Sequence, residues 1–403
     1  MTMTATAKFN VGGILLDRPF KVRRLGHFGF NLVNLEASAP FYVDLLGFRI
    51  SDPRRDGGFF GRFGSDHHAL VIADKQDAQT QFLALATGPR HFRPVNTINQ
   101  ITWQVQSRRE VVDATRYLRN LEIDVSREGR AGGRGAGSNY HCYFYDPDDQ
   151  VIELFYGIEQ IGWDGHSKPP EMRPSSMPEV TAEPHIPEYQ EVDEALARGG
   201  SPTSGYRYLE TLPATYDVDG ILLPRPFKIT RIGPVNLFVD DLGATKAFYQ
   251  DVMGFTLSEE VEWQGEQCTF LRCGGEHHSV GLFPRSWRER LGLSSHTSSM
   301  SFGLQVANYR QLRDAVSFLR AHGARVETDI VPPRLHPGID YAAYAFDPDG
   351  HCLELYYYME QVGWDGQVRP ETMRRSVDPN NWPDDLEPLS DTFTGEPFLG
   401  PWG

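Results

Sequence analysis

Two short runs hold the residues best able to do chemistry. RRLGHFGFN, Arg23 to Asn31, carries His27 in an apolar alternating stretch, and VIELF, Val151 to Phe155, carries Glu153 between apolar neighbours. An ionised carboxylate in a buried strand is costly unless a cation or a proton meets it, so Glu153 requires one or the other. A histidine such as His27, taken alone on an apolar strand, is more often a hydrogen-bonded core residue than a ligand. A second copy of the surroundings sharpens the contrast. TRIGPVNLF, Thr230 to Phe238, has Pro234 where the first copy has His27, while CLELY, Cys352 to Tyr356, keeps a carboxylate as Glu354. One copy needs an imidazole at that point and the other does not.

The elements that must position these residues are themselves duplicated. GILLDRPFKVRRLG from Gly13 returns as GILLPRPFKITRIG from Gly220, 207 positions on, and FYVDLLGF from Phe41 returns at the same offset as FYQDVMGF from Phe248. YDPDDQVIELFYGIEQIGWDG from Tyr145 returns as FDPDGHCLELYYYMEQVGWDG from Phe346, 201 positions on, so the second copy is shorter in between. The chain is an internal duplication. Within each copy the order strand, helix, several strands occurs twice: LGHFGFNLV and QITWQVQ alternate as strands do, and EASAPFYVDLLG and SRREVVDATRYLRNLE have the apolar spacing of helices. This gives an arm over 1–19, a first copy over 20–165, a linker rich in Pro, Ser, Glu and Gly over 166–218, a second copy over 219–366, and a tail over 367–403 whose aromatics suit docking.

With the LGH strand start, the FYxDxxGF helix, the His67–His68 pair, and the ending YxxDPDxxxxE in view, the chain resembles the vicinal oxygen chelate superfamily, and within it the two-domain type I extradiol ring-cleaving dioxygenases. The resemblance covers roughly residues 20 to 160 and 227 to 365. It implies an α+β fold of two tandem domains, each built from two βαβββ modules closing into a cupped mixed sheet with a metal in the cup. It implies Fe(II), or alternatively Mn(II), held by His27, His68 and Glu153, with positions left open for a chelating diol and O2. The matching residues of the second copy are Pro234, His278 and Glu354, and proline offers no donor atom, so the first copy is expected to be the metal-binding one. In the family it is usually the C-terminal domain that carries the iron, so this chain departs from the pattern.

Further candidates follow along the last hairpin. Tyr143 falls on the tyrosine of YxxDP, and His141, two residues earlier, shares its face on a strand. Their counterparts are Tyr344 and Ala342, which makes His141 the acid/base candidate. Arg62, with Arg272 as its counterpart, cannot act as a base at neutral pH and is left to hold a substrate anion or a developing oxyanion, or to form a structural ion pair. His67 is expected to face away from His68.

Composition bounds the remaining readings. The formal charge of −15, from 54 acidic against 39 basic residues, disfavours nucleic acid as a partner. The absence of a long apolar run disfavours a membrane span, and a cytosolic protein is expected. The four cysteines form no CxxC pair and are assigned no role. The expected function is Fe(II)-dependent extradiol cleavage of a small aromatic diol with O2, in an assembly of identical subunits. The alternatives are a glyoxalase-like isomerase or lyase and a protein that binds an aromatic compound. Residues 85–99 and 126–139 are expected to shape the substrate pocket.

Overall fold

A computed structural model describes residues 8–76, 97–129, 136–173, 188–363 and 365–386. A small hairpin, β1 (Phe9–Val11) and β2 (Ile14–Leu16), precedes the first copy. There follow β3 (Arg24–Leu32), a helix from Leu35 that runs through Leu45, then β4 (Arg49–Pro53), β5 (Phe59–Arg62) and β6 (Leu70–Asp74). The second module is β7 (Ile98–Gln104), a helix over Arg108–Asn120, β8 (Val125–Gly129), β9 (Ser138–Tyr145) and β10 (Val151–Ile158). The strands form one eight-stranded sheet in the order β4-β5-β6-β3-β7-β10-β9-β8. Each module closes by pairing its first strand in parallel with its last, β3 with β6 and β7 with β10, and the modules join where β3 meets β7 antiparallel.

The second copy repeats this order. A hairpin of β11 (Tyr216–Val218) and β12 (Ile221–Leu223) leads into β13 (Ile229–Val239), β14 (Thr256–Trp263), β15 (Glu266–Arg272), β16 (Val280–Pro284), β17 (Ser299–Val306), β18 (Arg325–Glu327), β19 (Ala342–Phe346) and β20 (Cys352–Tyr356). Its sheet order is β14-β15-β16-β13-β17-β20-β19-β18. The fold is therefore α+β, with two tandem domains of two modules each.

Local sequence sets the helix starts. The side chains of Asn34, Ser107, Asp241 and Asn308 each accept the backbone N–H three residues ahead, satisfying a donor that the first helical turn leaves free. The largest apolar core runs through both copies, and Phe28 of β3 stacks on Phe302 of β17 with centroids 4.2 Å apart. The FYxDxxGF and DPD motifs meet across this junction. Tyr42 donates to Asp347 Oδ2 at 2.7 Å, and Thr245 Oγ1 donates to Asp148 Oδ2 at 2.7 Å.

Within 166–218, the expected linker, Ser167 Oγ donates to Asp52 Oδ1 at 3.2 Å and Arg173 Nη2 to Asp52 Oδ2 at 2.6 Å, so its first residues lie back on β4. A helix spans Glu188–Ala197. Much of the expected pocket loops, residues 174–187, and the tail from 387 lie outside the described residues. Among the described residues no helix is long and apolar enough to cross a membrane.

Candidate metal centre in the first copy

The register of the first sheet lines up one row of side chains across four strands. His27 on β3 stands opposite Thr102 on β7, Thr102 pairs with Glu153 on β10, and Glu153 stands opposite Tyr143 on β9. Directly paired residues share a face, so the topology brings together residues 126 positions apart. His27 Nε2 lies 3.2 Å from Glu153 Oε2. The same oxygen accepts from Thr102 Oγ1 at 2.9 Å and from Gln100 Nε2 at 3.1 Å. His141 Nδ1 lies 3.9 Å from the other oxygen, Oε1, and the His141 and Tyr143 rings are 5.1 Å apart on one face.

Glu153, His141, His27 and His68 are at most 2% exposed. Burial pushes the Glu153 carboxyl up, but the hydrogen bond and charge of His27, the charge of His141 and the Thr102 hydroxyl outweigh it and hold the group below the usual range. Among the described residues, Glu153 Oε1 and His27 Nδ1 have no hydrogen-bond partner.

His68 reaches the row from another side. The His67–His68 pair lies in a bend before β6, so strand alternation does not separate the two rings. The expectation that His67 faces away is corrected on that account: its Nδ1 is 3.0 Å from His68 Nδ1, and its Nε2 is 2.8 Å from Asp52 Oδ2. The His68 ring packs on His27 with centroids 4.2 Å apart. Burial first, then the neighbouring His27 and His67 rings, push its pKa well down. Gly137 crosses over the pair at φ +93°, where a Cβ would come within 2.6 Å of His68 Nδ1, so only glycine suits this close approach. Arg62, at the end of β5, donates to Gly64 O at 3.0 Å, and no hydrogen bond or ion pair joins it to the row.

These residues fit a divalent metal in part. A buried, ionised carboxylate with one unmet oxygen calls for a cation. His27 Nε2 and Glu153 Oε2, 3.2 Å apart, have about the spacing of two adjacent donors around an ion with bonds of ~2.1 Å. Among the described residues, however, no group of three His, Cys, Asp or Glu side chains is arranged to hold an ion as it stands. His27 and Glu153 are together, whereas His68 turns its Nδ1 to His67. Sequence reasoning missed Gln100, Thr102, Asp52 and Arg173. The polar alternation of Gln100, Thr102 and Gln104 within INQITWQVQ was a usable signal for the first two.

The second copy repeats the frame and changes the contents. Pro234 stands at the His27 position, and Gly303 at that of Thr102, because a Cβ there would come 2.4 Å from Pro234 Cδ. Glu354 accepts from Asn236 Nδ2 at 2.9 Å, Ser301 Oγ at 3.1 Å and Tyr344 OH at 3.2 Å. Burial outweighs these three neutral donors and pushes it up to about 7. Its cup is a second apolar core, in which Trp287, Leu291, Leu335 and Met359 pack with Ala342 and Tyr344. A cavity of about 330 Å³ at the junction of the copies has Pro234 and His278 in its wall but no member of the first-copy row, so it is not the candidate site.

Comparison with known proteins agrees with this architecture. The chain is 27% identical over 134 residues to a 2,2',3-trihydroxybiphenyl dioxygenase of Sphingomonas paucimobilis, a match over 33% of this chain and 42% of that one. It is 21% identical over 391 residues to a metapyrocatechase of Geobacillus stearothermophilus, covering 95% and 93% of the two chains. Solved structures with the same fold include a catechol 2,3-dioxygenase, at 16% identity and TM-score 0.53 over 93% of this chain and 97% of that one. They also include an Mn(II)-bound glyoxalase from Novosphingobium aromaticivorans, at 15% identity and TM-score 0.52 over 86% and 85%. The profile of the Glyoxalase/Bleomycin resistance protein/Dioxygenase superfamily matches residues 24–154 and 231–355, one stretch in each copy. The chain belongs to that superfamily.

Proposed function

We propose that the first copy is the active site of an extradiol dioxygenase that opens the ring of a small aromatic diol with O2. The observation that carries the reading is the His27–Glu153 pair, buried and 3.2 Å apart, at a place where the second copy has a proline and a carboxylate met by neutral donors. Similarity to a relative named as a trihydroxybiphenyl dioxygenase and to another named as a metapyrocatechase supports it. His27, Glu153 and His68 would hold Fe(II), or Mn(II) in its place, which would supply a Lewis-acid centre with open positions for two substrate oxygens and O2. His141, buried beside Glu153, moves a proton to or from the substrate oxygen. Tyr143, facing it, hydrogen-bonds the substrate. Arg62, bonded to Gly64 O, is assigned no step.

The test is metal analysis of anaerobically purified protein, followed by an O2-electrode screen of catechols. About one metal per chain is expected, with O2 consumed in step with the diol and metal lost in His27→Ala and Glu153→Ala. Retention of metal in His68→Ala with loss in Gln100→Ala would make the Gln100 amide the third donor. A substrate converted without O2 uptake would replace the dioxygenase by a glyoxalase-like isomerase or lyase.

A further inference from the structure

His68 does not stand alone on its outer side. Its Nδ1 meets His67 Nδ1 at 3.0 Å, His67 Nε2 meets Asp52 Oδ2 at 2.8 Å, and Asp52 takes Arg173 Nη2 at 2.6 Å and Ser167 Oγ at 3.2 Å. Arg173 and Ser167 come from the segment that follows the sheet. Arg173 also lies 3.5 Å from Glu159, whose backbone carbonyl accepts the His67 N–H at 2.8 Å.

Hydrogen-bond polarity can be counted along this chain. An ionised carboxylate only accepts, so His67 must donate from Nε2. Asp52 is ion-paired with Arg173, whose Nη2 lies 2.6 Å from its Oδ2, and its other oxygen accepts from Ser167. Two ring nitrogens 3.0 Å apart share a single proton, so one Nδ1 donates and the other accepts. A neutral His67 that donates from Nε2 accepts at Nδ1, and His68 must then donate from its own Nδ1.

We propose that the segment ending at Arg173 fixes the tautomer of His68 through Asp52 and His67, leaving Nε2 as the lone-pair nitrogen. Asp52, His67 and Arg173 are thereby positioning residues: they touch no substrate and act through His68. The inference rests on the proposed site for its use, since an unprotonated Nε2 is what a metal ligand or a proton acceptor requires. The second copy contains the same relay. Glu259 Oε2 lies 3.1 Å from His277 Nε2, His277 Nδ1 lies 3.0 Å from His278 Nδ1, and Arg374 Nη1 donates to Glu259 Oε1 at 3.0 Å. There the buried His278 Nε2 has no hydrogen-bond partner among the described residues. Arg374 follows its sheet as Arg173 follows the first, so each copy includes the residues through this arginine.

Histidine-ring 15N NMR of the metal-free protein tests the tautomer independently of activity. His68 and His278 should both carry the proton on Nδ1. His67→Phe should abolish that signature for His68 and leave His278 unchanged. His67→Gln, whose amide offers a donor and an acceptor at similar spacing, should restore it. Mn(II) titration should show binding weakened roughly 10- to 100-fold in His67→Phe and within a few-fold of wild type in His67→Gln. Should His67→Phe fail to fold by circular dichroism, Arg173→Met takes its place and should weaken Mn(II) in the same sense. A wild-type His68 protonated on Nε2, or unchanged Mn(II) affinity in a folded His67→Phe, overturns the relay. Mn(II) retained in His27→Ala would instead overturn the site itself and leave the tautomer result standing.

Discussion

Glu153 and Glu354 occupy the same place on equivalent strands, and both are essentially out of solvent, with 0% and 1% exposed. Their carboxyls are nevertheless driven in opposite directions, one below the usual range and the other up to about 7. Burial is common to both, so it cannot decide the sign. The difference lies in the row beside them, where His27 and His141 are replaced by Pro234 and Ala342. Beside the imidazoles the carboxyl is held ionised; without them it suits a proton, and Asn236, Ser301 and Tyr344 supply hydrogen bonds without charge. Apolar side chains fill the second cup.

The strongest way to break this comparison is to exchange the residues that define it. His27→Pro should lower ring cleavage by roughly a thousandfold or more, since a bound Lewis acid contributes several kcal/mol. Pro234→His should restore neither activity nor a second metal, because Trp287 and its neighbours fill that cup. Steady-state assay and elemental analysis decide, and two metals per chain in Pro234→His would show that the proline alone silenced the copy.

Trp287→Ala should destabilise the protein by about 3–5 kcal/mol in urea unfolding, the cost of emptying a well-packed core, while turnover per folded molecule changes little. A loss near zero would mean that the filling of the second cup is incidental. Glu354→Gln sharpens the electrostatic half. The Glu354 pKa is raised from 4.5 to about 7 in the fold, so the stability linked to its proton is fully present below the unfolded value and is lost as pH rises through the folded one. The glutamine variant should therefore match wild type near pH 4.5 and exceed it by up to ~3 kcal/mol above pH 8. An advantage that does not change with pH would refute the assignment. The smallest effect belongs to His141→Ala, which should slow ring cleavage roughly 100-fold with metal content unchanged. Wild-type turnover across the pH range would make His141 a packing residue.

Much of this was legible in the sequence because duplication supplies its own control. The His27 to Pro234 and His141 to Ala342 contrasts needed only two aligned stretches, and the strand and helix periods gave both modules. What stayed hidden depends on backbone geometry or long-range packing. Alternation rules misplaced His67, because the pair sits in a bend where period two does not apply. Arg173 lies in a stretch that reads as linker, and nothing local reveals that it returns to Asp52. Trp287 is plain in the sequence, but the cup it fills exists only once β13 to β20 have closed.

The contacts across the junction bear on what could be done with the gene. Tyr42 of the first copy is bonded to Asp347 of the second, Thr245 of the second to Asp148 of the first, and the Val33 and Asp240 amides are taken up by Asp349 and Asp148 in turn. Each half thus finishes the other's turns. Cutting the reading frame between them would strand a buried phenol and a buried carboxylate on two separate polypeptides, each with its apolar junction bare. The half without these imidazoles thus serves as a built-in template for the half that has them, and deleting either would bare the apolar junction of the other.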